Sequence, residues 1–135
     1  MIEGHQLKSA GLKITLPRLK IFHILEQAPE HHLSAEHVYK KLVAREEVVS
    51  LATVYRVLTQ FEAAGIVERH NFEGGYSVFE LRQATHHDHL VCTKCGRVDE
   101  FFDKTIESRQ QKIAEKARFK MTGHALNIYG ICSNC

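Results

Sequence analysis

Apolar residues between positions 15 and 65 recur at the three- and four-residue spacing of amphipathic helices. Thr15-Leu16-Pro17 is typical of a helix start, because threonine caps free amides and proline is tolerated in the first turn. Pro29 ends this helix, Ser34 and Ser50 predict the caps of two more, and Gly65 suits the left-handed end of the last. The side chains expected to face the core are Leu19, Phe22, Ile24 and Leu25, then Val38, Leu42 and Val43, then Leu51, Val54, Val57, Leu58 and Phe61.

The apolar period becomes that of strands after Gly65. Ile66–Phe72 and Tyr76–Leu81 predict two strands, joined at Glu73-Gly74-Gly75, where the glycines permit the positive φ angles of a tight hairpin. Three helices followed by a hairpin are typical of a winged helix-turn-helix, although domains that bind only protein also use this combination. A strand over Thr85–Cys92 and a helix over Lys104–Arg118 follow, so the predicted fold class is α+β.

The third predicted helix carries a mixed exposed face, formed by Ala52, Thr53, Tyr55, Arg56 and Thr59. Arginine can bond guanine with two hydrogen bonds, and apolar groups can touch the thymine methyl, so this face suits a DNA major groove. The alternative is an ordinary amphipathic helix in which Tyr55 and Arg56 are partly packed.

The composition, with 44% hydrophobic and 25% charged residues among 135, is that of an ordinary globular protein of one large domain or two small ones. No apolar run approaches the roughly 20 residues that span a bilayer, and the N-terminus lacks a signal-peptide core. We therefore expect a cytoplasmic protein with no membrane association. A net charge of +2 is weak evidence for a nucleic-acid partner, so the DNA hypothesis depends on local pattern.

Histidines, cysteines and carboxylates are concentrated between Glu80 and Glu100. If Thr85–Cys92 is a strand, alternate side chains point to opposite faces. One face then carries His86 and Asp88, and the other carries His87 and His89. The segment could therefore supply two separate metal sites, although a solvated histidine cluster is the alternative.

Two Cys-x-x-Cys pairs, Cys92 with Cys95 and Cys132 with Cys135, supply the four thiolates of a closed structural zinc site. A thioredoxin-like redox pair would normally open a helix, whereas Cys92 closes a predicted strand. Two disulfides would imply an oxidising compartment, for which nothing else in the sequence argues. Zinc is the favoured interpretation over these alternatives.

The chain resembles the ferric uptake regulator family over nearly its full length. The stretches that carry the resemblance are Gly11-Leu12-Lys13-Ile14-Thr15-Leu16-Pro17-Arg18, Leu51-Ala52-Thr53-Val54-Tyr55-Arg56-Val57-Leu58, His70-Asn71-Phe72-Glu73-Gly74-Gly75, and His86-His87-Asp88-His89 with Cys92 and Cys95. The combination is highly specific.

The resemblance implies an N-terminal winged-helix DNA-binding domain over residues 1–82 and a C-terminal α/β metal-binding dimerisation domain over 83–135, with a hinge at about 82–85. It implies a metal-dependent transcriptional repressor, not an enzyme, that binds palindromic double-stranded operator DNA as a homodimer or a tetramer. The alternative functions are a zinc- or manganese-sensing regulator of the same family and a passive metal-binding protein. A zinc hydrolase or deaminase would need a His-Glu-x-x-His or His-x-Glu motif, which this sequence does not contain.

Four sets of site residues also follow from the resemblance. They are a regulatory metal site at His32, Glu80, His89 and Glu100; a second site at His86, Asp88, Glu107 and His124; structural zinc at Cys92, Cys95, Cys132 and Cys135; and DNA contacts at Lys13, Tyr55 and Arg56. Either His31 or His32 could be the loop ligand, and the resemblance favours His32. Glu107 could instead be a solvated helix residue and His124 a core histidine.

The regulatory metal is expected to be Fe(II), although Mn(II), Co(II) or Zn(II) could substitute at nitrogen and oxygen ligands. Glutamates at positions 80 and 100 are similar to those of iron sensors, since peroxide sensors carry aspartate there. Zinc sensors tend to depart from the Phe72-Glu73-Gly74-Gly75 stretch. A regulatory metal held by residues on both sides of the hinge would fix the angle between the two domains.

Overall fold

The computed structural model describes residues 2–82 and 86–135, and the chain divides into two compact units, Met1–Gln83 and Ala84–Cys135. The predicted hinge at 82–85 falls largely on residues 83–85, which lie outside the described residues.

The first unit contains α1 (Ile2–Ser9), α2 (Leu16–Gln27), α3 (Ala35–Ala44) and α4 (Leu51–Ala63). The three predicted caps are confirmed, because the side chains of Thr15, Ser34 and Ser50 each accept a hydrogen bond from the amide three residues on. Gly65 follows α4 with a φ of 78°. Helix α1 was not expected, because its sequence carries no strong cap or apolar stripe. It contributes Leu7 to the core.

The hairpin of the first unit pairs β1 (Val67–Phe72) with β2 (Tyr76–Leu81) in antiparallel register. Gly74 and Gly75 adopt φ angles of 99° and 78° in the turn, as predicted. The helices and hairpin share one hydrophobic core, to which α2, α3, α4 and the hairpin contribute Ile21, Phe22, Ile24, Leu25, Val38, Leu42, Val54, Val57, Leu58, Phe61, Val67 and Phe79.

The prediction that Val43 and Leu51 face the core is wrong. Val43 is 53% exposed and Leu51 is 36% exposed. Leu51 is the first residue of α4. Val43 lies in the last turn of α3, where Val38 and Leu42 already occupy the buried stripe. Predicting burial from apolar character alone therefore made the buried faces of α3 and α4 wider than they are.

The second unit contains β3 (Asp88–Cys92), β4 (Val98–Phe101), α5 (Lys104–Lys116) and β5 (Asn127–Gly130). Strand β3 lies between β4, which pairs with it antiparallel, and β5, which pairs with it parallel. The predicted strand over Thr85–Cys92 thus begins only at Asp88, and Thr85 lies outside the described residues. The mixed helices and strands of both units confirm the α+β class.

Apolar side chains remain exposed in the second unit. Leu90 and Ile128 are opposite each other in the β3–β5 register and are 42% and 44% exposed. Ile113 on α5 is 65% exposed, and Phe119 beyond its end is 72% exposed. An apolar surface of this kind is typical of an interface with another protein.

Candidate metal centres and DNA-binding surface

The four cysteines converge at one end of the second unit. Their Sγ atoms all lie within 4.8 Å of one another, at 3.8 Å for Cys92 and Cys135, 3.6 Å for Cys95 and Cys132, and 3.5 Å for Cys132 and Cys135. Four sulfurs bound at about 2.3 Å to one zinc ion lie roughly 3.8 Å apart at the tetrahedral angle. All four are free thiols rather than disulfides. The arrangement fits a tetrahedral zinc ion.

Backbone amides in this cluster donate hydrogen bonds that stabilise a thiolate. The amides of Cys132 and Cys95 donate to Sγ of Cys92 at 3.3 and 3.4 Å. These two hydrogen bonds lower the pKa of the Cys92 thiol to about 5, whereas hydrogen bonds that the Cys135 thiol makes as donor to the neighbouring Cys132 and Cys95 sulfurs raise the pKa of Cys135 to about 12. Gly96, with a φ of 82°, closes the turn after Cys95. Metals bind the thiolate form, so the amides favour ligation by Cys92.

A second cluster joins the segment before β3, the first turn of α5 and the loop before β5. His86 Nε2 lies 3.0 Å from Asp88 Oδ1, and His124 Nε2 lies 3.1 Å from Glu107 Oε1. The same Glu107 oxygen is 3.5 Å from His86 Nε2. Asp88 is 1% exposed, and its Oδ2 has no hydrogen-bond partner among the described residues. A buried carboxylate oxygen beside two imidazoles fits a divalent cation.

A third cluster lies within the first unit and is centred on the carboxylate of Glu80, which is 1% exposed. Its Oε2 is 3.1 Å from Nε2 of His32, and its Oε1 is 2.5 Å from Nε2 of His70. The side chain of His32 is 4% exposed, whereas His31 is exposed. Of the two loop histidines, His32 is therefore the one that contacts Glu80.

A fourth cluster lies at the β3–β4 pair of the second unit. His89 is opposite Glu100 in the register, and Nε2 of His87 is 3.5 Å from Oε1 of Glu100. The His87 and His89 rings are 5.0 Å apart between centroids. The partition expected from strand alternation is thus present, with His86 and Asp88 in one cluster and His87 and His89 in another.

Two histidines in these clusters were not predicted as ligands. His87 could have been found, because strand alternation places it on the same face as His89. His70 could not, because its distance to Glu80 depends on the hairpin register, in which Glu80 is opposite Glu68 and His70 is two residues further along β1. Only the folded hairpin brings this imidazole to the carboxylate.

The exposed face of α4 carries the predicted DNA contacts. Tyr55 is 44% exposed, and its hydroxyl donates a hydrogen bond to Glu36 on α3. Arg56 is also exposed, and its Nη2 lies 3.4 Å from Thr53 Oγ1 in the first turn of α4. The two side chains present one aromatic and one cationic group to solvent from the same helix.

Lys13 is tied to this helix through Arg18. The Nη1 of Arg18 donates to the carbonyl of Lys13 at 2.7 Å, and its Nε and Nη2 donate to Oε1 of Gln60 at 3.3 and 3.1 Å. Because Gln60 belongs to α4, one guanidinium links the backbone at Lys13 to the helix. The exposed Lys13 side chain therefore extends from a backbone that is linked to α4.

A winged helix with an exposed aromatic and cationic helix, in a chain with clusters of imidazole, carboxylate and thiol ligands, defines the class of metal-responsive transcription regulators. The model of the Ferric uptake regulator family matches residues 9–129. A ferric uptake regulation protein of Legionella pneumophila is 72% identical over 135 residues, which cover 100% of this chain and 99% of that protein. This chain belongs to the ferric uptake regulator family.

Two solved structures extend the comparison. The Vibrio cholerae ferric uptake regulator is 58% identical, with a TM-score of 0.91 over 96% of this chain and 98% of that one. A ferric uptake regulator of Francisella tularensis, solved with iron, is 42% identical, with a TM-score of 0.87 over 93% of this chain and 95% of that one. Members of the family are metal-dependent transcriptional repressors that bind DNA and form dimers, and they are not enzymes. Among the described residues, no helix is both long enough and apolar enough to cross a bilayer.

Proposed function

We propose that this protein is an Fe(II)-dependent repressor that binds palindromic operator DNA as a dimer when its regulatory metal site is filled. The observation that carries the proposal is that the four candidate ligands are divided between the two units of the chain. His32 and Glu80 are in contact in the unit that contains α4, while His89 and Glu100 are cross-strand neighbours in the other unit. We propose that all four bind one ion, with His87 as a further candidate at 3.5 Å from Glu100.

The division of the ligands explains how metal binding could control DNA binding. Shared ligation by residues of both units restricts the angle between them. In a two-fold dimer this angle sets the separation of the two α4 helices, which must match half-sites about one DNA turn, roughly 34–36 Å, apart. The ion and the operator then favour the same state, and such coupling is reciprocal and typically worth about 1 to 3 kcal/mol.

We propose a structural Zn(II) at Cys92, Cys95, Cys132 and Cys135. Sulfur separations of 3.5 to 3.8 Å and two amide donors to Cys92 support it. A four-thiolate site leaves no open coordination position, so its contribution is to stability rather than to sensing.

We propose that His86, Asp88, Glu107 and His124 form a second divalent site. All four donors come from the second unit, and their ligand atoms lie within 4.8 Å of one another. Filling this site would join α5 to the segment before β3, with no ligand from the unit that contains α4. We therefore expect it to affect stability more than metal-dependent DNA binding.

For DNA contacts we propose Tyr55 and Arg56 in the major groove and Lys13 at the backbone or minor groove. The exposure of all three side chains supports this assignment. Arg56 can specify guanine, whereas Lys13 supplies an attraction to phosphate that is independent of sequence and sensitive to salt. Because operator DNA lies in the bacterial cytoplasm, we propose that the protein acts there.

Iron is the proposed effector because the ligands are imidazoles and carboxylates and because the related Francisella tularensis regulator was solved with iron. Mn(II), Co(II) or Zn(II) could occupy the same ligands. Anaerobic titration with each metal in turn, followed by operator binding, would rank the metals by the concentration at which they activate DNA binding. That concentration can then be compared with the concentration of each metal in the cell.

The test of the proposed function is a gel shift with operator DNA, with and without Fe(II) under anaerobic conditions. His89→Ala should retain the fold and the thiolate-bound metal but lose metal-stimulated DNA binding. Asp99→Ala is the matched control, since this exposed β4 side chain pairs with Arg97 rather than with a metal ligand. Unchanged metal dependence in His89→Ala would refute the regulatory assignment. Metal binding by the wild type without any DNA binding would favour a passive metal-binding protein.

A further inference from the structure

We propose that residues 2–82 contain a three-donor site for a divalent transition metal, formed by His32, His70 and Glu80. His70 belongs to none of the ligand sets proposed above. The inference rests on the proposed function only in that His32 and Glu80 are shared with the regulatory site. The added claim is that His70 makes this half of the site able to hold an ion without ligands from the second unit.

The distances support direct ligation. Each oxygen of Glu80 faces one imidazole, with Oε2 at 3.1 Å from His32 and Oε1 at 2.5 Å from His70. Donors at about 2.1 Å from one ion and at right angles lie roughly 3.0 Å apart. Ligand atoms of all three residues lie within 4.8 Å of one another. Small side-chain rotations therefore suffice to surround an ion.

The three donors are held by separate backbone constraints. Leu33 pairs with Phe79, so His32 and Glu80, the neighbours of these residues, are fixed to one another. The hairpin register places His70 diagonally across from Glu80 on the same face. The ring of His70 also stacks on Phe72, with centroids 6.1 Å apart and an interplanar angle of 6°. The donor set is largely preorganised.

The chemistry of the three donors determines which metal ions the site can bind. Two imidazoles and one carboxylate with open positions are the donor set that binds Fe(II) in many non-haem iron proteins, and imidazole disfavours Ca²⁺ and Mg²⁺. The carboxylate of Glu80 is buried, so a cation between the two imidazoles offsets its desolvation. Three protein donors leave coordination positions open. His89 and Glu100 of the proposed regulatory site could take these positions.

The test uses the intact chain with its thiolate metal retained. His87→Ala, His89→Ala, Glu100→Ala and His124→Ala together remove the second-unit ligands of the regulatory site and weaken the second site. Co(II) is the probe, followed by its ligand-field absorption and by calorimetry. We expect this background protein to bind Co(II), and the affinity to fall at least about tenfold when His70→Ala is added. Adding His31→Ala, an exposed residue of the same loop, should leave the affinity unchanged.

His70→Gln separates ligation from a purely structural contact. Glutamine can still donate a hydrogen bond to Glu80 but replaces the imidazole donor, so Co(II) affinity should fall as it does in His70→Ala while the melting temperature stays close to that of the background. Full Co(II) affinity in His70→Gln, or no Co(II) binding in the background, would overturn the inference. The proposed function is tested separately by operator binding of proteins that retain His70, so either can fail alone.

Discussion

Leu33 and Phe79 exchange both of their backbone hydrogen bonds, with N···O distances of 3.0 and 2.7 Å. This bridge joins the loop before α3 to strand β2. Phe79 precedes Glu80 and Leu33 follows His32, so the bridge brings an imidazole from the loop to a carboxylate in the hairpin. A local backbone pairing thereby positions two donors that are 48 residues apart in the chain.

Because the bridge brings only His32 to Glu80, alanine substitutions at His31 and His32 should have different effects on metal binding. His32→Ala should weaken Mn(II) or Co(II) binding at the regulatory site by more than the roughly 10- to 100-fold that loss of an outer-shell partner costs. His31→Ala should leave the affinity unchanged, because that side chain is exposed. Calorimetric titration of both variants against the wild type measures the difference. An equal loss in the two would contradict the geometry.

The hydrogen bond from Tyr55 to Glu36 predicts a pH-dependent contribution to stability. It lowers the pKa of Glu36 below 4.5 and raises that of Tyr55 above 10.0. Its contribution is therefore present between these two values, and it is lost as pH falls through the lowered pKa or rises through the raised one. Tyr55→Phe should reduce the free energy of unfolding near pH 7 by less than about 1 kcal/mol, since the pair is exposed.

Urea unfolding of Tyr55→Phe and wild type at several pH values checks this window. Glu36→Gln provides the matched control, and the double variant should lose little more than either single one. A stability difference as large at pH 3 as at pH 7 would show that the hydrogen bond is not its source.

The thiolate cluster has a spectroscopic signature in metal-free, reduced protein. Because the pKa of the Cys92 thiol is about 5, its thiolate should be present at neutral pH and should protonate with a midpoint near 5. Ultraviolet absorbance of the thiolate during acid titration measures this. Cys92→Ser should abolish the transition, whereas Cys135→Ser should retain it. A first thiolate appearing only near pH 9 would contradict the role of the two amide donors.

The exposed pair Leu90 and Ile128 predicts that the face of the second unit that carries it takes part in dimerisation. Ile128→Lys places a charge beside Leu90, and desolvating that charge in an interface is costly. We expect the dimer dissociation constant to rise at least about tenfold, measured by sedimentation equilibrium. Val48→Lys, at a residue 97% exposed in the first unit, should leave the dimer unchanged. Equal dissociation constants for the two variants would exclude this face.

Local signals in the sequence were sufficient for much of the fold. The caps at Thr15, Ser34 and Ser50, the turn at Gly74 and Gly75 and the helix that begins at Lys104 depend on residues close in the chain, and the structure contains each of them. The two Cys-x-x-Cys pairs and the alternation of ligands around His89 are equally local. Spacing along the chain therefore indicates the thiol set and separates His86 and Asp88 from His87 and His89, whereas the remaining candidate ligands were named from the family resemblance.

Features that depend on contacts between residues far apart in the chain were determined only by the tertiary structure. The exposure of Val43 and Leu51, the packing of Leu7 from the unexpected α1, and the approach of His70 to Glu80 all follow from how elements pack and which register they adopt. A sequence pattern encodes the periodicity of each element, but the free energy of packing fixes which neighbour each face meets. His32 and Glu80 could be named as candidate ligands before the structure was known, whereas the contact between them and the approach of His70 required the folded hairpin and the Leu33–Phe79 bridge.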